Sequence, residues 1–355
     1  MVDIAKQIED IEAVLRKTPH HKATNGFIGA MRAKIARLKD REVESSSKSS
    51  GGGGGYSVKK QGDATIVLIG PPSAGKSTLI NCITNAVSKV AAYAFTTVSV
   101  IPGMLKYREA YIQVLDVPGL IEGASIGKGR GKEVLSVARG ADLLVIMTDP
   151  ERLKFFDNIL EELEGAGIRI NKSRPNVRVE KELAGGLTIV SNIKQDYVLE
   201  DVKGVAQEFG IKNGRVILKE KVTMNQIIDS LSERIVYKKA IFVVNKADTH
   251  DGHKYEDLIY ISADKNEGID ALKETFWKEL GLVTIYLVER NDKPGTDNPV
   301  IMKTDDTLED VARSIGSEFL EGTTIAKIWG NGAKFDGQEM PLTTKVIDGM
   351  QVRFI

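Results

Sequence analysis

The chain is 355 residues long, 42% apolar and balanced at 49 basic against 49 acidic side chains, with one cysteine, Cys82. That length and apolar content predict two or three domains with buried cores. No run of eighteen apolar residues is present to cross a bilayer, the opening MVDIAKQIEDIEAVL is amphipathic and charged, unlike a signal peptide, and a lone cysteine makes no internal disulfide. The expectation is a cytoplasmic protein without a membrane partner.

Ile4, Ile8, Ile11 and Leu15, then Ile28, Met31, Ile35 and Leu38, recur at helical spacing on either side of a break containing Pro19, Asn25 and Gly26. This predicts an antiparallel helical hairpin over 1–44. The first sixty residues carry twelve Lys/Arg against seven Asp/Glu. Arg32, Lys34, Arg37, Lys39 and Arg41 read as a basic outer face suited either to an anionic partner or to solvent. The Ser/Gly-rich stretch 45–61 reads as a flexible linker, because it buries too little to offset its ordering entropy.

From Ala64 onward strands and helices alternate, the signature of a mostly parallel α/β sheet with ligand motifs at the carboxyl ends of strands. An apolar strand over Ile66–Ile69 runs into Gly70, Pro71, Pro72, Ser73, Ala74, Gly75, Lys76, Ser77 and Thr78, which fits G-x-x-x-x-G-K-[ST]. Such a loop lets backbone N–H groups and a helix N-terminus converge on a phosphate chain. Lys76 adds positive charge and Ser77 is placed to ligate Mg²⁺. A strand over Tyr111–Leu115 ends in Asp116-Val-Pro-Gly119, where Asp116 is suited to hold Mg²⁺ and the Gly119 N–H to meet a γ-phosphate.

Ala141–Met147 is a further apolar strand, and Ala240–Val244 leads into Asn245-Lys246-Ala247-Asp248. The Asp248 carboxylate can accept from the N1–H and 2-amino group of guanine. Adenine lacks that donor pair, which disfavours ATP. Asn245 is expected to brace the loops and Lys246 to lie across the base. After a strand over Leu258–Ile261, Ser262-Ala263 is expected to offer the Ala263 N–H to guanine O6.

Asp116 and Asn245 lie 129 residues apart, where about sixty suffice for two strand–helix repeats. The excess predicts an inserted small α/β subdomain over 167–232, in a GTPase domain of 62–166 and 233–281. Arg169, Lys172, Arg174, Arg178 and Lys181 in the insertion suit RNA, protein or plain solvent. Residues 282–355 read as strands over Thr284–Val288, Thr324–Trp329 and Gln351–Ile355 with one helix, LEDVARSIG, opened by an Asp306/Glu309 capping arrangement. That texture predicts a small β-grasp domain whose role is binding. His250 and His253 form H-x-x-H in a polar stretch and read as a loop, not a metal site.

With these motifs in view, the chain resembles the DRG (developmentally regulated GTP-binding protein) branch of the Obg-related GTPases. The most specific segments are AYAFTT at 92–97, DVPGLIEGAS at 116–125 followed by GKGRGKE at 127–133, and INKSRPNVRVEKELAGGL in the insertion. The resemblance implies a P-loop GTPase domain with an N-terminal helical region, an inserted subdomain and a C-terminal TGS (ubiquitin-like) domain. It also implies GTP/GDP and Mg²⁺ as ligands, a ribosome or RNA association in translation, and a DRG-family regulatory partner protein. By resemblance Thr97, or Thr96 beside it, is the switch threonine that ligates Mg²⁺. Lys76, Thr97 and Gly119 are then the catalytic set.

Two departures stand out. Leu120 occupies the position where many GTPases carry the glutamine that orients water, so hydrolysis is expected to be slow. Ser73 stands where K⁺-using relatives often carry Asn, leaving K⁺ as an open cofactor. Lys128 and Arg130 are candidate cations for the phosphates, or else serve a partner surface or stay solvated. A GTP-sensing RNA or ribosome adaptor with negligible turnover is the alternative to a GTPase switch.

Overall fold

The computed structural model describes residues 4–21, 24–48, 61–84, 101–117, 130–249, 252, 254–289, 293–316 and 323–355. In chain order the first elements are α1 (Ile4–Lys17), α2 (Asn25–Lys48), β1 (Ala64–Ile69), α3 (Lys76–Ile83), β2 (Ile101–Tyr107) and β3 (Ala110–Asp116). There follow α4 (Arg130–Gly140), β4 (Leu143–Thr148), α5 (Phe155–Gly165), β5 (Ile168–Ile170), β6 (Val177–Lys181), β7 (Leu187–Ser191), α6 (Leu199–Glu208), β8 (Gly214–Leu218) and α7 (Met224–Leu231). The chain continues through β9 (Val236–Val244), β10 (Ile259–Tyr260), α8 (Ile269–Leu280), β11 (Leu282–Leu287), β12 (Pro299–Lys303), α9 (Leu308–Ile315), β13 (Ile325–Gly330), β14 (Gln338–Pro341) and β15 (Met350–Phe354). These elements divide into two compact units, Met1–Gly55 with Gly167–Tyr237, and Tyr56–Ala166 with Lys238–Ile355.

In the second unit one sheet runs in the order β10-β9-β4-β1-β3-β2. All its neighbours along this path are parallel except β2, which pairs antiparallel with β3. Every residue of β1 and β4 is buried, as expected of central parallel strands covered on both faces. β1 lies between β3 and β4, so the chain leaves it in opposite directions across the sheet. That places a crevice at its carboxyl end, where ligands bind in open α/β sheets. β2 was not foreseen because Pro102 and Gly103 weaken its strand pattern; its place at the sheet edge tolerates the proline.

A second sheet in this unit has the order β12-β11-β15-β13-β14, with β11 and β15 parallel and the remaining pairs antiparallel. The helix α9 buries Leu308, Val311 and Ala312 against it, giving the strand-rich sheet with one helix that the sequence texture predicts. The cap differs by one residue from expectation. Thr307 and Asp310 form the capping box, whereas Asp306 accepts from the Lys303 N–H at 2.7 Å in the turn leaving β12.

The first unit joins segments that the sequence reading separates as 1–44 and 167–232. A three-stranded sheet, β6-β8-β7, backs α6 and α7, and α2 packs on those helices. Ala33 shares one core with Val202, Val205, Val216 and Ile227. Gly26 permits the close approach, since a Cβ there would lie 2.4 Å from Asp201 Oδ1. α2 also continues through Lys48, so the stretch assigned to a linker from residue 45 begins helical.

The expected basic outer face is partly internal. Arg37 donates to the Glu208 carbonyl at 2.6 Å, at the carboxyl end of α6 where the helix dipole favours a cation, and Arg32 donates to Asn225 at 3.1 Å. Burial, reinforced by nearby Arg234, lowers the Lys39 ammonium pKa. Arg169 is likewise largely removed from solvent, forked onto Asp229 at 2.6 and 2.7 Å. Arg37, Lys39 and Arg169 are thus drawn partly inward, while Arg32, Lys34 and Arg41 remain exposed as expected.

Candidate nucleotide site

The carboxyl end of β1 turns through Gly70–Gly75 into α3, whose N-cap is Gly75 at φ +88°. A side chain at Gly75 would be strained by that φ, and its Cβ would lie 2.2 Å from Asn245 Nδ2. Ser73 is also left-handed, at φ +60°. Alternation of left-handed with ordinary residues turns successive N–H groups to one side and makes an anion-binding concavity.

The carbonyls on the opposite side of this loop are occupied in sequence. Lys76 Nζ donates to Gly70 O at 3.0 Å and Pro71 O at 3.1 Å. Arg152 Nη1 donates to Pro72 O at 3.0 Å, Lys246 Nζ to Ser73 O at 2.8 Å, and Asn245 Nδ2 to Ala74 O at 3.0 Å. In a trans peptide the C=O and N–H point in opposite directions, so anchoring the Pro72 and Ala74 oxygens turns the Ser73 and Gly75 N–H groups to the other side of the loop. Burial lowers the Lys76 ammonium pKa, against a raising effect from Asp116. A phosphate chain would give that ammonium a stronger partner than two carbonyls.

At the foot of the loop Ser77 Oγ donates to Asp116 Oδ2 at 2.8 Å. Asp116 is 5% exposed, and its Oδ1 is buried with no hydrogen-bond partner among the described residues. A hydroxyl and an unsatisfied carboxylate oxygen are a hard, all-oxygen donor set, which fits Mg²⁺. Thr97, Thr96, Gly119, Leu120 and Lys128 lie outside the described residues, as do His250 and His253.

Asn245, 3% exposed, ties the phosphate loop to the loop after β10, because its Oδ1 accepts the Ala263 N–H at 3.0 Å. That N–H, expected to read guanine O6, is therefore engaged by Asn245 here, and O6 would have to compete for it. Lys246 is left-handed at φ +59° and reaches the phosphate loop instead of lying free over a base position. The Asp248 carboxyl is held below the usual carboxylate range by the hydroxyl of buried Ser262 and by Lys265, whose Nζ is 3.1 Å away.

The sequence reading passed over Asp149 and Arg152. They sit on the 3₁₀ turn that leaves β4, with Arg152 forked onto Asp149 through Nε and Nη2. Burial pushes the Asp149 carboxyl up, but the Arg152 hydrogen bonds and charge, with Lys246 adding, outweigh it and leave the carboxyl lowered. The available signal was Asp-Pro-Glu-Arg directly after the mostly apolar β4, at the same sheet edge as the other motifs. Among the described residues no helix is long and apolar enough to cross a membrane.

Comparison with known proteins points the same way as this geometry. A family model described as a 50S ribosome-binding GTPase matches residues 65–181, and one described as the C-terminal region of that domain matches residues 184–282. An uncharacterized GTP-binding protein of Methanocaldococcus jannaschii is 41% identical, covering 98% of this chain and 92% of its own. Developmentally-regulated GTP-binding protein 2 of Homo sapiens is 34% identical over 96% of each chain, and its Dictyostelium discoideum homolog is 35% identical over 97% of each.

Proposed function

The chain belongs to the developmentally-regulated GTP-binding protein family of Obg-related GTPases, and from that premise we propose that it hydrolyses GTP to GDP and phosphate as a slow switch acting on ribosomes. The observation that carries the hydrolytic reading is the buried Asp116 Oδ1, without a hydrogen-bond partner among the described residues, beside the Ser77 hydroxyl at the foot of the phosphate loop. Ser77 and Asp116 would hold Mg²⁺, which when bound neutralises charge on the terminal phosphates.

The remaining work falls to the chain itself. Asp248 selects guanine, Asn245 locks the two base-side loops to the phosphate loop, and Lys76 exchanges its carbonyl partners for phosphate oxygens. The family resemblance assigns Thr97 and Gly119 to loops drawn in by the γ-phosphate and released after hydrolysis. Leu120 neither donates nor accepts, so water is oriented by another group, by backbone or by a partner, and unaided turnover should be on the order of 10⁻⁴ to 10⁻² s⁻¹. The ribosomal assignment draws on the description of the matching family, and a DRG-family regulatory protein is the proposed stabilising partner.

Single-turnover GTP hydrolysis, measured with and without ribosomes and at two K⁺ concentrations, tests this reading. The expected result is slow Mg²⁺-dependent turnover that ribosomes accelerate. Unaided turnover at tens per second would overturn the slow switch. GTP held without turnover under every condition would make the protein a nucleotide-sensing adaptor instead. A K⁺ response would assign Ser73 and its neighbours a cation site.

A further inference from the structure

Pro71 and Pro72 carry no N–H, so the first amide donor the phosphate loop can offer after Gly70 is that of Ser73. Ser73 is also the strained residue, a non-glycine at φ +60°, a conformation that persists only where the surroundings enforce it. The peptide units on both sides of it are held by cations. Arg152 Nη1 takes the Pro72 carbonyl that precedes Ser73, and Lys246 Nζ takes the carbonyl that follows. Arg152 is in turn fixed by a fork onto Asp149, a residue 7% exposed that also feels the charge of Lys246.

We propose that Asp149 and Arg152 form a clamp that holds Ser73 left-handed and thereby aims the Ser73 N–H at the phosphate chain of the bound nucleotide. The Pro72 C=O and the Ser73 N–H belong to one planar peptide, so a guanidinium bound to the oxygen sets the direction of the N–H and polarises it as a donor. Arg152 touches no reacting atom and is a positioning residue, acting through the peptide plane. Its geometry suits arginine, because one planar fork engages a carboxylate and a carbonyl together. The inference rests on the nucleotide-binding reading of the loop and does not depend on turnover.

The test uses the full chain carrying Arg152→Gln, Arg152→Lys, Ser73→Gly and the Arg152→Gln/Ser73→Gly pair, with GDP affinity and single-turnover hydrolysis as readouts. Loss of a charge-assisted hydrogen bond should weaken GDP binding by about tenfold in Arg152→Gln. Arg152→Lys, which keeps the charge but loses the fork, should fall between Arg152→Gln and the unaltered chain, and it serves if the glutamine variant fails to fold. Glycine adopts φ > 0 without strain, so Ser73→Gly should restore most of the lost affinity in the Arg152→Gln background. Affinity within twofold of the unaltered chain in both Arg152 variants, or a loss that Ser73→Gly leaves in place, would overturn the clamp. If the unaltered chain binds GDP but never turns over GTP, the hydrolytic reading fails while the affinity arm still decides the clamp.

Discussion

Asp248 accepts from Ser262 and lies 3.1 Å from Lys265 Nζ, and both interactions favour its ionised form. A carboxyl lowered in the folded chain keeps its charge above the ordinary value of 3.8 and gives it up only as pH falls through the still lower folded value. Guanine selection should therefore hold level from neutrality down to about pH 4, measured as GDP against ADP competition. Asp248→Ala should weaken GDP on the order of 10- to 100-fold and leave ADP unchanged; equal losses for both would remove base reading from this residue. Asp248 and Asn245 were legible in the sequence because their chemistry resides in residue type and in position after a strand. Arg152 was not, because its role arises from where the end of β4 places it against Pro72, 80 residues earlier in the chain.

At the scale of elements, spacing pointed to Asp306/Glu309 as the cap of α9, one residue before the Thr307/Asp310 box that forms. Asp306/Glu309 and Thr307/Asp310 both stand three apart, and the turn off β12 decides by taking Asp306 for the Lys303 amide. Thr307→Ala should destabilise the C-terminal sheet by about 1 kcal/mol, with faster amide exchange in α9 as the readout. Unchanged exchange would show that burial of Leu308 and Val311 suffices to hold the helix. The central strands were readable because full burial writes itself as continuous apolar runs, whereas β2, β12 and β14 have mixed edge patterns that do not separate from loop.

At the scale of the molecule, the alternation of strands and helices announced the sheet and its crevice, but no local signal said what the N-terminal hairpin packs on. That information is distributed over small residues, Gly26 and Ala33, whose meaning depends on a surface made much later in the chain. Ala33→Leu should overpack the shared core and cost about 1–3 kcal/mol. Amide exchange should then rise in α2 and α6 together; a rise in α2 alone would mean that the hairpin is held elsewhere.

The same arrangement sets a schedule for biosynthesis. Arg37 and its carbonyl partner at Glu208 are 171 residues apart. At synthesis rates of about 5–20 residues per second, α2 waits on the order of ten to thirty seconds for the surface that covers it, although its own helix forms within about a microsecond. During that interval the side of α2 that carries Ala33 and Arg37 lacks its partner while the whole of 56–166 is made. The nascent chain therefore passes through a window in which holdase binding and aggregation compete with docking, and the length of the intervening segment fixes how long that window stays open.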